Sequence, residues 1–132
     1  MMPSVQDPAD FPAFWADCVN RGAVDELVGL YHAKSVLMPT FSPHAAKNGE
    51  QVRAYFEQLA SRAGLGVSLH DGTVDCLAVG GGGHVVSGIY SFQFEVDGTL
   101  LTFPSRFTFV IDLAQDAPIL HHHSSQIPRT LS

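Results

Sequence analysis

The hydrophobic pattern divides the chain into a helical first part and a strand-rich second part. Apolar residues recur three and four positions apart after Phe11, after Val24 and after Asn48. This spacing predicts three amphipathic helices, the first with a candidate N-cap at Asp10 and the third capped by Asn48. A short strand at residues 35–38 is expected before the third helix.

From Val67 onward the pattern changes to long extended segments separated by turn-forming residues. Four strands are predicted, at 67–79, 84–96, 100–113 and 119–127. The short connections between them predict an antiparallel meander. Helices on one face of such a sheet give an α+β cone with an internal pocket. The four consecutive glycines at 80–83 are read as a turn, because a phosphate loop would need a following lysine and a helix.

The composition suits one domain of 132 residues, with 1–9 and 129–132 expected to be flexible. Hydrophobic residues make up 45% and charged residues 15% of the chain, which leaves little charged surface. We therefore expect a homo-oligomer, most simply a dimer through the outer face of the sheet. The aromatic residues predicted in strands exceed what one inner face can use: Phe92, Phe94, Phe103, Phe107 and Phe109.

The net charge of −6 and the scattered basic residues disfavour nucleic acid and anionic membranes as partners. The first residues lack the pattern of a secretory leader, and no apolar run approaches the ~20 residues of a membrane span. The expectation is a soluble, cytoplasmic protein. Cys18 and Cys76 show no metal-binding spacing, so two buried free thiols are expected.

Three consecutive histidines, His121, His122 and His123, raise the question of a metal site. Neighbouring residues of a strand point to opposite faces, so at most His121 and His123 share one. The other histidines are dispersed. We therefore expect no metal and no cofactor.

The same two-residue period sorts the last strand into two faces. Ile119 and Ile127 bracket one of them with apolar side chains, which predicts that His123 and Ser125 point into the pocket and that His122 and Ser124 point outward. Histidine can hold or pass a proton near neutral pH, and serine can orient a water or an oxyanion. A hydrogen-bonded core pair without catalytic function is an equal alternative.

Arg106 lies among apolar residues of the preceding strand, where an unpaired guanidinium is costly. It is expected to meet either a core carboxylate or a small anionic ligand. Serine-histidine-aspartate catalysis has little support, because the chain has no GxSxG elbow.

Several segments occur in an order that resembles the bacterial calcium/calmodulin-dependent protein kinase II association-domain family, and within it the ι-class carbonic anhydrases. The likeness runs from about Phe11 to Pro128, and its superfamily is the nuclear transport factor 2-like fold. Its most specific part is the HHSS-x-x-P ending. The segments are PTFS at 39–42, RAYFE at 53–57, SGIYSF at 87–92, SRFTFV at 105–110 and HHSSQIP at 122–128.

The resemblance implies a pocket containing Thr40, Tyr55, His123 and Ser125, in enzymes whose characterised members can work without a metal. Tyr90 and Arg106 are candidate ligand-binding residues. The chain departs from the family pattern in two places. His121 stands where aspartate is common, and Ala117 where tryptophan is usual.

Three functions remain open at this point. The first is reversible hydration of carbon dioxide, with Thr40, Tyr55 and Ser125 holding the reactants and His123 relaying the proton; Arg106 would stabilise bicarbonate if it faced the pocket. The second is a non-enzymatic module that binds a small carboxylate-like ligand and assembles through its sheet. The third, an isomerase or cyclase, needs a buried acid, for which Glu95 and Asp75 are the best-placed candidates.

Overall fold

The computed structural model describes residues 5–128 and has the predicted α+β architecture. A single 3-10 turn, Pro8–Asp10, precedes the first helix, and another, Asp71–Thr73, divides the first predicted long strand in two. The helices are α1 (Phe11–Asn20), α2 (Val24–Leu30) and α3 (Gly49–Ala60), and the strands are β1 (Tyr31–Met38), β2 (Gly66–Leu69), β3 (Asp75–Gly80), β4 (Gly83–Val96), β5 (Thr99–Ile111) and β6 (Ile119–Gln126).

The six strands form one sheet in the order β1-β6-β5-β4-β2, with β3 also paired to β4. The pairs β4–β5 and β5–β6 are antiparallel, which confirms the meander for the last three strands, whereas β1 pairs with β6 in parallel. The predicted strand 67–79 was too long, because β2 and β3 pair with different stretches of β4. The strand predicted at 35–38 begins earlier, at Tyr31.

The core lies between the helices and the concave face of the sheet. Trp15 of α1 is only 2% exposed, stacks on Tyr90 at 5.3 Å between ring centroids, and meets Phe109 edge-on. The five strand aromatics counted above all lie on this inner side: four are buried, and Phe103 is partly buried against the core. They therefore give no evidence of an aromatic outer face, and that argument for oligomerisation was wrong.

The helix starts were predicted with mixed success. Asn48 caps α3 as expected, its side-chain oxygen accepting a hydrogen bond from the Gln51 N–H at 2.9 Å. Asp10 makes no capping bond, because the chain enters α1 through a 3-10 turn that Asp7 caps instead. Residues 5–9, expected to be flexible, include the buried Val5. The same expectation for 1–4 and 129–132 lies outside the described residues.

The two cysteines are free, but only one is buried. Cys18 sits in the core side of α1, and burial raises the pKa of its thiol to about 11. Cys76 is exposed because β3 lies at the edge of the sheet, where all its residues are exposed. Among residues 5–128 no helix is long and apolar enough to span a membrane.

Gly88 is expected to be required for packing beneath the candidate site. A Cβ at this position would lie 2.9 Å from the Phe107 ring, which is itself buried and stacked on Tyr90 at 4.6 Å. We expect Gly88→Ala to lower the free energy of unfolding by about 1–3 kcal/mol, measured by urea titration. Gly29→Ala is the matched control, because a Cβ at Gly29 in α2 meets no atom within 4 Å. A Gly88→Ala variant with an unchanged free energy of unfolding would contradict the packing argument.

Candidate functional site

The inward-facing residues of β6 are His122 and Ser124, the reverse of the sequence prediction. They are 1% and 4% exposed, whereas His123 is exposed and Ser125 is half-buried. The cause is a bulge at Leu120: Ile111 of β5 pairs with Ile119, but Val110 pairs with His121. One extra residue on β6 reverses the side-chain alternation after it, so buried Ile119 precedes a buried His122.

The other apolar marker used for that prediction also fails. Ile127 is 41% exposed and lies just beyond the end of β6. An isoleucine at a strand end therefore carried no information about which face is buried.

The imidazole of His122 is enclosed by aromatic rings and bonded at both nitrogens. Phe109 stacks on it at 4.0 Å, and Trp15 meets it edge-on at 5.2 Å. Its Nδ1 lies 2.8 Å from the Tyr31 hydroxyl, and its Nε2 lies 3.1 Å from the Tyr90 hydroxyl. Both contacts are buried, which holds the ring in a single orientation.

These two contacts belong to one continuous series of hydrogen bonds. At the inner end the Trp15 indole N–H donates to the Tyr31 hydroxyl at 3.1 Å. Beyond His122, the Tyr90 hydroxyl donates to Ser124 Oγ at 2.7 Å, and Ser124 is in turn bonded to Thr40 Oγ1. We call these six residues the hydrogen-bond chain: Trp15, Tyr31, His122, Tyr90, Ser124 and Thr40.

Burial determines the protonation states of the groups in the hydrogen-bond chain. It lowers the pKa of His122 to about 3, with smaller contributions from the neighbouring His121 and His123, so the imidazole is neutral at pH 7. Burial also raises the pKa of the Tyr31 and Tyr90 hydroxyls above their ordinary value. Each member of the hydrogen-bond chain is therefore uncharged at physiological pH.

Thr40 is presented by the loop between β1 and α3. A bridge closes this loop at its base: the Leu37 N–H donates to the Ala46 carbonyl at 2.9 Å, and the Ala46 N–H donates back at 2.8 Å. Because β1 pairs with β6 only as far as Met38 and His123, the next residues of β6 lie beside the loop instead of beside a strand.

A cleft of about 240 Å³, which we call cleft 1, opens at this place. Thr40 and Ser124, the outer end of the hydrogen-bond chain, lie in its wall. The described residues that line it include no aspartate, glutamate, lysine or arginine, so their polar groups are hydroxyls, amides and imidazoles. The other lining residues are Met38, Pro39, Ser42, Pro43, His44, Ala45, His123, Ser125 and Gln126.

Tyr55 lies on the other side of the same loop. It lines a second cleft of about 260 Å³ together with Gln51 and Gln58. Its hydroxyl is hydrogen-bonded to the backbone of Phe41, and burial raises the pKa of Tyr55 to about 12. The structure therefore brings Tyr90, and not Tyr55, into contact with the serine of β6.

Arg106 is exposed on the outer face of the sheet, which contradicts its assignment to the pocket. Its cross-strand neighbours are Ile89 and Ser125, and within residues 5–128 it forms no ion pair or side-chain hydrogen bond. The apolar residues beside it in sequence alternate with it and point inward, so solvent rather than a buried partner satisfies the guanidinium.

Four members of the hydrogen-bond chain were not predicted as site residues from the sequence. Trp15 and Tyr31 fit the apolar spacing of helices, and that spacing does not distinguish a packed ring from one that donates a hydrogen bond. His122 and Ser124 were predicted from strand alternation to point outward, toward solvent or a partner subunit. The HHSS ending marked the correct segment, but the bulge decided which two of its residues face inward.

The curved sheet, the covering helices and the enclosed polar residues define a cone of the nuclear transport factor 2-like class, and structural neighbours bear this out. The chain belongs to the calcium/calmodulin dependent protein kinase II association domain family, whose model matches residues 6–128. No curated protein matches the chain.

Solved structures agree on the fold. A candidate calcium/calmodulin dependent protein kinase II association domain of Xanthomonas campestris is 24% identical, with a TM-score of 0.81, and the match covers 98% of this chain and 94% of that one. A ketosteroid isomerase-like protein of Erwinia carotovora is 12% identical, with a TM-score of 0.74 and coverage of 92% and 95%. A protein of Novosphingobium aromaticivorans with a cystatin-like fold is 14% identical, with a TM-score of 0.72 and coverage of 92% and 80%.

Proposed function

We propose that the chain catalyses reversible hydration of carbon dioxide to bicarbonate in cleft 1, without a metal. The observation that supports this proposal is the Thr40–Ser124 hydroxyl pair in the wall of a small uncharged cleft, backed by a buried tyrosine and a neutral imidazole. Within residues 5–128 no three histidine, cysteine or acidic side chains lie close enough to hold a metal ion.

The uncharged lining bears on the class of ligand. A phosphate or a dicarboxylate would require cationic side chains to offset its desolvation, and the described residues that line cleft 1 include no lysine or arginine. A small neutral molecule such as carbon dioxide needs only hydrogen-bond donors to its oxygens. Hydroxyl donors that strengthen as negative charge develops would stabilise the transition state toward bicarbonate.

The proton released from the attacking water needs an acceptor outside the hydrogen-bond chain, because buried His122 strongly resists protonation. His44 and His123 both line cleft 1 and are both exposed. We assign them the role of passing the proton to solvent, since an exposed imidazole exchanges protons rapidly near neutral pH.

Stopped-flow measurement of carbon dioxide hydration on chelator-treated protein tests the proposal. We expect catalysis above the buffer rate that is unchanged by removal of metal ions. Hydration no faster than buffer, or activity that returns only when zinc or manganese is added, would refute it.

The alternative is a non-enzymatic module that binds a small molecule in cleft 1 and self-associates. Two observations favour self-association: the family is named for an association domain, and the outer sheet surface carries exposed apolar side chains, Met38 at 40% and Leu77 at 65%. Arg106 also lies on this outer face. The third hypothesis, an isomerase or cyclase, loses support, because no described acidic residue is buried. Its two candidate acids, Glu95 and Asp75, are exposed.

We propose that two copies pair through this outer face, in both the enzymatic and the non-enzymatic readings. Light scattering at micromolar concentration should give about twice the monomer mass of 14.2 kDa. Arg106→Glu should weaken the dimer, because it brings two added carboxylates toward a shared interface. A monomer mass for the unmodified protein would exclude this interface.

A further inference from the structure

The hydrogen-bond chain has one more hydrogen than it has contacts. The Trp15 indole, the two tyrosine hydroxyls, the neutral His122 ring, and the Ser124 and Thr40 hydroxyls supply six donor hydrogens. Five contacts join these six groups in series. Each contact uses one hydrogen, so one hydrogen is left without a partner inside the chain.

The direction in which the hydrogen bonds are donated along the hydrogen-bond chain decides which group carries the spare hydrogen. The indole of Trp15 can only donate, so the Tyr31 oxygen accepts from it. If Tyr31 donates to His122 Nδ1, the ring proton sits on Nε2 and points to Tyr90. Tyr90 then donates to Ser124, and the spare hydrogen is on Ser124 or Thr40, both in the wall of cleft 1.

The opposite direction leaves the spare hydrogen in the core. A proton on His122 Nδ1 would have to be donated to Tyr31, whose oxygen would then accept twice. Its own hydrogen would be left among aromatic rings, since Tyr31 is 7% exposed and packs against Phe56. An unsatisfied buried donor costs about 1–3 kcal/mol, which corresponds to a preference of roughly ten- to hundredfold for the first direction.

We infer that Tyr31 is a positioning residue that fixes His122 as the Nε2–H tautomer, with Trp15 closing the inner end, so that the hydrogen-bond chain presents a single hydroxyl hydrogen to cleft 1 and selects a ligand with an acceptor oxygen. This inference rests on the proposed function for the identity of the ligand. It adds that the site donates a hydrogen bond to that ligand. The inner end is closed, because Trp15 is a buried group that only donates, so the hydrogen-bond chain opens at cleft 1 and orients its donors toward that cleft.

Nitrogen NMR of protein labelled at its histidine rings tests the tautomer directly. At pH 7 the assigned His122 ring should show an unprotonated Nδ1 and a protonated Nε2. An Nδ1–H ring, or a cationic ring, would overturn the inference. In Tyr31→Phe no hydroxyl donates to Nδ1, so the preference for the Nε2–H ring is removed and the Nδ1–H form should appear. Trp15→Phe should keep the Nε2–H ring, because the Tyr31 hydrogen still needs Nδ1 as its acceptor. Phe14→Leu, on the same helix and only partly buried, is the control and should keep the wild-type signal.

The ligand is tested with bicarbonate and with methylammonium as probes, followed by the backbone amide shifts of Thr40 and Ser124. Bicarbonate should shift both signals to saturation, and methylammonium should shift neither. Saturable methylammonium binding at these residues, or none by bicarbonate, would overturn the ligand assignment. The Nε2–H tautomer without hydration activity would refute the proposed function alone, whereas hydration with an Nδ1–H ring would refute the inference alone.

Discussion

Replacing Ser124 with alanine is expected to lower the rate of carbon dioxide hydration at least tenfold, a loss of about 1.4 kcal/mol of transition-state stabilisation. Ser124 connects Tyr90 to Thr40, so its removal leaves the Tyr90 hydroxyl without its acceptor and separates Thr40 from the buried donors. Stopped-flow measurement of kcat/KM at one pH would detect this loss.

The comparison that decides the register of β6 is Ser125→Ala. Ser125 also lines cleft 1, but it lies opposite Arg106 of β5, on the other face of the strand from Ser124, and the hydrogen-bond chain does not include it. Its hydration rate should stay within about threefold of wild type. Circular dichroism must show that both variants remain folded. If Ser125→Ala lost more hydration activity than Ser124→Ala, then Ser125 and not Ser124 would belong to the active site. The prediction from strand alternation would be correct, and the register with the bulge at Leu120 would be excluded as the functional one.

Acid is expected to lower the free energy of unfolding over the pH range between the folded-state and unfolded-state pKa values of His122. The ring has a pKa of about 3 in the folded state against 6.5 when unfolded, so the unfolded chain binds more protons between these values. The stabilisation is complete above pH 6.5 and is lost as the pH falls toward 3. Linkage gives a loss of about 2 kcal/mol at pH 5 relative to pH 7. This is a large part of the ~5–15 kcal/mol that stabilises a typical domain.

Urea titrations at pH 7 and pH 5 measure this loss. His123→Gln should show the same difference as wild type, because His123 is exposed and lies outside the hydrogen-bond chain. His122→Gln should show a much smaller difference, even if its stability at pH 7 is lower. Equal wild-type stability at the two pH values would mean that the His122 ring is not held neutral by burial.

The apolar periods of the sequence predicted the three helices and the antiparallel strands, but not the division of the strand at 67–79 or the parallel pairing of β1 with β6. The spacing after Phe11, Val24 and Asn48 predicted three helices, and the change of period after Val67 placed the meander against them. These predictions held because an amphipathic helix or strand must bury its apolar face whatever its neighbours are. The HHSS segment and Thr40 were also identified from the sequence, through the family resemblance.

The arrangement within the site depended on tertiary structure alone. Whether His122 or His123 faces inward follows from one bulge residue, Leu120, and a bulge is set by how β5 and β6 pair, which no local pattern records. The partners of His122 come from α1, β1 and β4, far apart in the chain. Arg106 looked buried because its neighbours in sequence are apolar, but alternation along β5 sends those neighbours inward and Arg106 to the surface.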